Sequence, residues 1–435
     1  MTPESVRRLA ARGASFAALL LVLACRQETI LIAPPADTTH SGGGGGGGGG
    51  GTVQRTPLAI TVRMYPVDSA VWNALGWVAG LVPRATVTVQ RDGSSDPAVT
   101  GGSDSSGVVQ FSGLLTGTYT LSAVRVLTAV DRARLPAGYE DVEAIASGTR
   151  IVVDTPRTSA TLSLPLSRRG SLVVSEYWFP LTLIEPGPYP YAGFLELYNN
   201  SDTTIYLDGL TLGNGKMLIT SQGSYNTCTD YTDMLNDSTG VWAADLFRFP
   251  GSGRDYPVPP GGAVVLATDA VDHRIVNDSA TDLTHADFEF IGPSDVDNPV
   301  VPNMITLGER VTPLGHGWFP QGGSAPFVAL PLIPDTLPSR VVYTYSVKYF
   351  HVARAAVISF SLFEFVDPRY PECSPIVAPV FDAAPAIDPY SDWYWPSFKR
   401  KVVRYLPDGR AVLQNTRTSA QDFEYTFPRT PGVVP

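Results

Sequence analysis

Five groups of side chains in this sequence have the types and spacing to do chemistry. Asp295, Asp297 and Asn298 lie in a short loop stiffened by Pro299 and Pro302. On an extended segment, residues i and i+2 project the same way, so two carboxylates with backbone oxygens could share one Ca²⁺. The competing account is an Asx turn whose side chains cap local amides. Tyr390, Trp393, Tyr394 and Trp395 stand among Pro and Asp, with a second aromatic group at Tyr177-Trp178-Phe179, Tyr189 and Tyr191. Flat rings beside acceptors suit a glycan or peptide ligand, because they offer area with little rotamer entropy to lose. The same rings could instead plug the end of a sandwich. Glu176 and Glu196 interrupt apolar strands. Two carboxylates about 5–9 Å apart can hydrolyse a glycoside, but the plainer expectation puts each on an exposed strand face or beneath turn amides. Cys228 and Cys373 could form a disulfide, closing a long loop worth roughly 5 kcal/mol in the chain-entropy account, or could be two separately buried thiols. The histidines are scattered: His40, His273, His285, His316 and His351. No H-x-x-x-H, H-E-x-x-H or C-x-x-C spacing offers a zinc site, and no G-x-S-x-G elbow presents a nucleophile. No catalytic residue is assigned.

The third cysteine, Cys25, has a different setting. Arg7, Arg8 and Arg12 precede an apolar run from Ala14 to Ala24 that closes as Val22-Leu23-Ala24-Cys25. A positive start, a short apolar segment and a small residue before the cut describe a secretory signal too short to span a bilayer. A Cys directly after the small residue resembles the bacterial lipobox, in which the thiol is lipidated and the chain is cut before it. Leu23 departs from that pattern, which favours a smaller residue. Residues 1–24 are therefore expected to be a lipoprotein signal and Cys25 the lipidation site. Arg26, in place of Asp, follows Cys25 and resembles the sorting pattern for the outer membrane. The alternative is an ordinary signal peptide with an incidental Cys.

The elements that would carry these groups are strands. Residues 25–57 hold ten consecutive glycines, Gly42–Gly51, which bury nothing and make a tether with a root-mean-square reach of about 30 Å. The 41 Gly and 38 Pro of the 435 residues, with short alternating runs and recurrent turn clusters, point to an all-β chain. Asp131–Ala146 is the best helical stretch, interrupted by Pro136-Ala137-Gly138. Val71–Val82 contains Gly76 and Gly80 and is not assigned to helix. The formal charge is −10, and loss of residues 1–24 with three Arg and one Glu takes it to −12. Such a chain is a poor partner for nucleic acid or for an anionic membrane by charge alone. The length supports two or three cored domains, and two are expected, at 58–167 and 168–435.

Within 58–167, Val87 and Val89 alternate with Thr, and Asp104-Ser-Ser-Gly107 turns into a strand presenting Val109 and Phe111. Asp104, Gly107, Phe111, Leu114, Gly117 and Tyr119 reproduce a D-x-x-G-x-x-x-F-x-x-L-x-x-G-x-Y pattern. The segment resembles transthyretin-like or carboxypeptidase-regulatory modules, which implies a seven-stranded sandwich that serves mostly as a spacer. Asp104 is expected to cap the turn.

Within 168–435, four patterns recur in order. They are Ser175-Glu176, then Phe194-Leu-Glu-Leu-Tyr198-Asn-Asn-Ser-Asp202, then Leu207-Asp-Gly209-Leu-Thr-Leu212, then Pro260-Gly261 to Leu266-Ala267. Asp408-Gly-Arg410, Gln414-Asn-Thr416, Ser419, Asp422-Phe423 and Thr430-Pro-Gly432 close the series. Together they resemble the lamin-tail domain, an immunoglobulin-like sandwich, here enlarged. With Asp287-Phe-Glu289 and Asp295 to Met304, they are similar to an uncharacterised family of exported bacterial lipoproteins. Asn415-Thr416-Arg417 departs from that pattern. The resemblance implies architecture and no activity.

The expected protein is therefore a lipid-anchored, all-β envelope chain of two sandwiches, displayed at the outer membrane on a tether. Its leading role is non-catalytic capture of a glycan or protein ligand, beside an outer-membrane receptor or transporter. A structural or adhesive component is the alternative, and an envelope hydrolase a third. No cofactor is expected apart from Ca²⁺ at the Asp295 loop.

Overall fold

The computed structural model describes residues 55–94, 96–153, 159–178, 183–184, 187–188, 192–215, 228–276, 280–290, 297–307, 323–342, 347–365, 377–388 and 396–434. All of them belong to one compact unit, Val53–Pro435. The architecture is all-β, as the turn chemistry and alternation require.

The first half forms a sandwich of two sheets. One has three strands in the order Val108–Leu115, Arg55–Met64, Ser159–Leu164, the last pair parallel. The other has five strands, in the order Val99–Gly102, Thr86–Arg91, Gly117–Val126, Val142–Val153, Leu166–Arg168. Period-two alternation drives the packing: Leu58, Ile60, Val62 and Met64 are all fully buried, facing Val87, Val89 and Leu121. Burying each such side chain contributes roughly 1.5–3 kcal/mol. The eight strands are one more than the expected seven, because Leu166–Arg168 extends the sheet alongside Val142–Val153. Asp104 caps its turn as expected, accepting from Ser106 N at 2.8 Å and Val108 N at 3.0 Å.

Of the two stretches weighed for helix, the first stays interrupted and the second needs correction. Asp131–Ala146 yields only the turn Ala129–Arg132, closed by a capping box between Thr128 and Asp131. Beyond Pro136 the chain becomes the strand Val142–Val153, whose pairing with Gly117–Val126 outweighs local helix preference. A helix does form at Ser69–Leu75, ending at Gly76 with φ +72°. Gly80 then passes so close to Trp72 that a Cβ there would sit 2.3 Å from the indole. The two glycines thus punctuate a short helix.

The second half packs a six-stranded sheet against a five-stranded one. The first runs Phe288–Glu289, Ala263–Ala267, Phe194–Asn199, Leu172–Trp178, Ser397–Arg400, Phe423–Thr426. The second runs Ile305–Leu307, Asp245–Arg248, Thr211–Asn214, Pro326–Ala329, Val357–Phe360. Leu195, Leu197, Phe247, Val328, Phe363 and Phe398 fill the space between them. A polar seam joins the halves of the compact unit. Glu143 takes ion pairs from Arg132, Arg169 and Arg404, and Asn415 N donates to Ser167 Oγ at 3.1 Å.

The six-stranded sheet is covered on its outer face too, so its two central strands are buried at every residue. At one end the excursion after Ala267 brings Ala270, Leu283 and Val301 onto Trp178 and Phe194. At the other, the hairpin of Val402–Tyr405 and Ala411–Leu413 covers Val173 and Tyr198. Between these apolar patches lies a polar row.

Candidate functional site: a buried carboxylate row and the strap across it

Cross-strand register assembles that row. Glu196 pairs with Val265 on one side and Glu176 on the other, Glu176 pairs with Lys399, and Lys399 with Glu424. Directly paired residues project to the same face of a sheet, so two carboxylates stand side by side with an ammonium next in line. Phe194, Glu196 and Tyr198 alternate outward while Leu195 and Leu197 point into the inter-sheet core. The register slips by one residue here, leaving Ser175 as a bulge, and its Oγ donates to Glu196 Oε1 at 2.6 Å.

Of the two expectations for Glu176 and Glu196, an exposed face fails, both being 0% exposed, and cover by turn amides holds. The reason is the C-terminal strap, residues 427–434, lying over the row. Thr430 N and Oγ1 donate to Glu176 at 3.0 and 2.7 Å, and Gly432 N donates to Glu196 Oε2 at 2.7 Å. Ser397 Oγ also donates to Glu176. Lys399 Nζ lies 3.6 Å from Glu176 and donates to Thr430 Oγ1 at 2.6 Å. Arg429 stacks 3.7 Å from the Trp178 ring centroid and donates to Thr281 Oγ1. Burial pushes the Glu196 carboxyl up to about 7, and neighbouring Glu176 adds to the rise, against the pull of Ser175, Gly432 and Lys399. Burial lowers Arg429 to about 10. The row can hold a proton and bind amides. With both carboxylates sealed beneath the strap, it has no open face for a sugar, and glycoside chemistry does not fit it.

Other ionisable groups are likewise turned inward. Arg400 donates to Gln414 O, Ser361 Oγ and Asp422 Oδ2 at 2.8, 2.8 and 3.2 Å. Asp422 also accepts from Thr416 N and Oγ1, and burial pushes its carboxyl up. Asp382 accepts from Ser419 Oγ at 2.6 Å and is pushed up to about 7 by burial. His273 is fully buried, its Nε2 2.9 Å from Asp269 O, and burial lowers its pKa. His351 has a carboxylate and a hydroxyl nearby, but Asp237 Oδ2 (3.2 Å) and Thr239 Oγ1 (3.3 Å) meet the same nitrogen, Nε2. A relay needs acid and nucleophile on opposite ring nitrogens.

Sequence-expected sites fall partly outside the described residues. Cys25, Tyr390, Trp393, Tyr394, Trp395, Asp295 and Cys373 all lie there. Cys228 is disulfide-bonded. Asp297 Oδ1 accepts from Asn303 Nδ2 at 2.7 Å. Asn298 donates its backbone amide to Glu289 Oε1 and its Nδ2 to Ala270 O, and its Oδ1 accepts from Val300 N. Asn298 thus ties its loop to the strand Phe288–Glu289 and to the segment after Ala267. Among the described residues no cluster of three His, Cys, Asp or Glu is placed to hold a metal ion. The carboxylate row itself was half legible: the Ser-Glu and Glu-Leu-Tyr patterns marked its strands, while nothing in them announced the strap.

No family model matches the chain, and no curated protein matches it in sequence. Among solved structures, a DUF4876 family protein from Bacteroides thetaiotaomicron VPI-5482 superposes with a TM-score of 0.50 at 17% identity, over 87% of this chain and 98% of that one. A Bacteroides ovatus ATCC 8483 protein provisionally described as an adhesin covers 72% of this chain and 89% of its own, at 7% identity and a TM-score of 0.18. A Bacteroides eggerthii DSM 20697 protein provisionally described as a cell adhesion protein gives 9% identity and 0.17, over 73% and 80%. The first likeness is one of fold; the other two superpose too loosely to bear on fold or role. The lamin-tail and transthyretin-like resemblances rest on their motifs.

Proposed function

We propose that this chain is a non-catalytic binding protein of the cell envelope, anchored through lipid on Cys25 and held off the outer membrane by its glycine tether. The observation that carries this reading is the inward turn of its chemistry. Glu176, Glu196, Asp382, Arg400 and Asp422 are each at most 3% exposed and are engaged by internal partners. A scaffold that spends its acids and bases on its own backbone leaves recognition to side chains on loops. Two large apolar side chains stand in water on the excursion covering the outer sheet face, Ile275 at 84% exposed and Val300 at 83%. Among the described residues no helix is long and apolar enough to cross a membrane, and lipid on Cys25 would supply the anchor.

The test is to screen the lipid-free chain on glycan and protein arrays beside a variant lacking residues 390–395 and the double variant Ile275→Asp, Val300→Asp. Capture by the wild type, with loss in one of these, is the expected result. No ligand above background on either array overturns the binding role and favours a structural or adhesive component. Radiolabelled palmitate should enter the wild type and not Cys25→Ser; equal incorporation overturns the anchor.

A further inference from the structure

We propose that the C-terminal strap, residues 427–434, is a proton-controlled latch: it shuts over the Glu196–Glu176 pair with one proton taken from solvent onto Glu196 and loosens when that proton leaves. This inference is independent of what the protein binds.

The geometry makes the strap sensitive to charge. Like charges directly opposed on neighbouring strands repel, and Glu196 and Glu176 are directly opposed. With the strap shut, neither carboxylate reaches water. The strap itself has little apolar grip, since Phe427, Val433 and Val434 are 64%, 56% and 46% exposed. Its hold is polar: Thr430 and Gly432 on the carboxylates and Arg429 on Trp178. Lifting residues 427–434 would return water to both carboxylates without disturbing the inter-sheet core, which they do not enter.

The charged groups around Glu196 among the described residues can be named. Its own strand offers no other. Glu176 stands opposite on the next strand, Lys399 follows, and Glu424 on the edge strand faces Lys399. On the other side Val265 is apolar, and Asp287 beyond it accepts from the Val265 amide at 2.8 Å. The strap contributes Arg429, which acts on Glu176. The Lys399 ammonium bonds Thr430 and sits beside Glu176, so Glu196 is left as the carboxylate with the weaker compensation.

The sign follows from linkage. Shut, Glu196 holds its proton up to about pH 7. With the strap lifted, water returns the carboxyl toward an ordinary glutamate. Closure therefore takes up a proton between those values, and each unit of rising pH weakens it by about tenfold. No bond is broken and no co-reactant is needed beyond the solvent proton.

Hydrogen exchange by mass spectrometry on the intact chain, from pH 5 to 8 and corrected for intrinsic rates, tests the latch. In the wild type, the protection of Thr430 and Gly432 should fall by about tenfold per pH unit up to about pH 7, while amides of Leu172–Trp178 hold theirs. Glu196→Gln, which is neutral at every pH, should keep the strap protected throughout. Strap protection that does not change with pH in the wild type overturns the proposal. So does parallel loss in strap and core, which would make the event global unfolding. Because both outcomes are read in the wild type, the proposal remains decidable if Glu196→Gln fails to fold.

Discussion

Replacing Arg400 by Met should destabilise this protein severely at pH 8 and much less at pH 5. The guanidinium is 3% exposed and holds four acceptors: Val174 O, Gln414 O, Ser361 Oγ and Asp422 Oδ2. Its Cζ also lies 4.3 Å from the centroid of the Phe423 ring. Met approximates the volume, so the cavity term is small and the electrostatic term decides. Removing one partner of a buried ion pair costs about 3–5 kcal/mol, because the survivor stays charged and uncompensated. Here the survivor is Asp422, 2% exposed, with donors left, among the described residues, from Thr416 and Gln414. Burial already pushes its carboxyl up against the opposing pull of Arg400, and losing that pull raises it further. An acid whose folded pKa lies above its unfolded one gives stability that is complete below the unfolded pKa and lost as pH rises through the folded one. The deficit of the variant should therefore be largest at pH 8 and shrink as Asp422 enters the fold protonated. Urea unfolding followed by tryptophan fluorescence, wild type and variant at both pH values, measures it. A deficit below about 1 kcal/mol at pH 8, or one of equal size at both pH values, refutes the reasoning, since the lower figure is what an ordinary hydrogen bond contributes.

Three further outcomes follow from other sites. Glu196 shifts from an ordinary 4.5 to about 7, so wild-type stability should fall by about 3 kcal/mol as pH rises from 4.5 to 8, and Glu196→Gln should unfold later than wild type at pH 8 and alongside it at pH 5. A Gln variant that unfolds earlier at pH 8 contradicts this. Gly213→Ala would place a methyl 2.3 Å from Phe327 Cζ and 2.9 Å from Leu246 Cδ2, and overpacking of that kind costs about 1–3 kcal/mol; an unchanged denaturation midpoint would refute the contact. Asn200→Ala should cost about 2–4 kcal/mol, because its amide both donates to Leu413 O and accepts from Leu413 N; a loss under about 0.5 kcal/mol in chemical denaturation would mean that water replaces both bonds.

Fold class was legible because it depends on period and punctuation. Leu58 to Met64, Val87 and Val89, and Val109 and Phe111 bury on the alternation their sequence shows. What failed was local. Asp131–Ala146 offers only a helical candidate interrupted at Pro136, and its second half gains a neighbouring strand that no window of sequence reveals. For Glu176 and Glu196 the sequence leaves open an exposed face, usual for a carboxylate in a strand, or cover by turn amides, and it cannot say which turn. Their cover comes from residues more than 230 positions away, as the separations of 254 and 236 for the Thr430 and Gly432 bonds record. A contact so distant is invisible to periodicity. The His351 group shows the converse: its residues are near in space, and only the choice of ring nitrogen reveals that they are not a relay.

The most specific sequence patterns here are those least informative about role, and the structure supplies the physical reason. Asn200 bonds both backbone groups of Leu413, and Asn199 donates to Thr203 O and Val258 O. Thr416 and Asp422 close a loop on each other, Ser419 engages Asp382 and the Leu362 amide, and Thr430 and Gly432 cover the carboxylate row. The buried polar letters among these, Asn199, Asn200, Thr416, Ser419 and Asp422, are groups whose loss would strand a partner without water, at about 1–3 kcal/mol apiece. Those letters hold this sandwich together and are silent on what it binds. Recognition, by contrast, needs side chains that are not already engaged, and those sit on excursions such as the one bearing Ile275 and Val300. Two chains sharing every letter of the pattern could therefore capture different ligands, and swapping the residues 390–395 segment between them should move the specificity while leaving the denaturation midpoint almost unchanged.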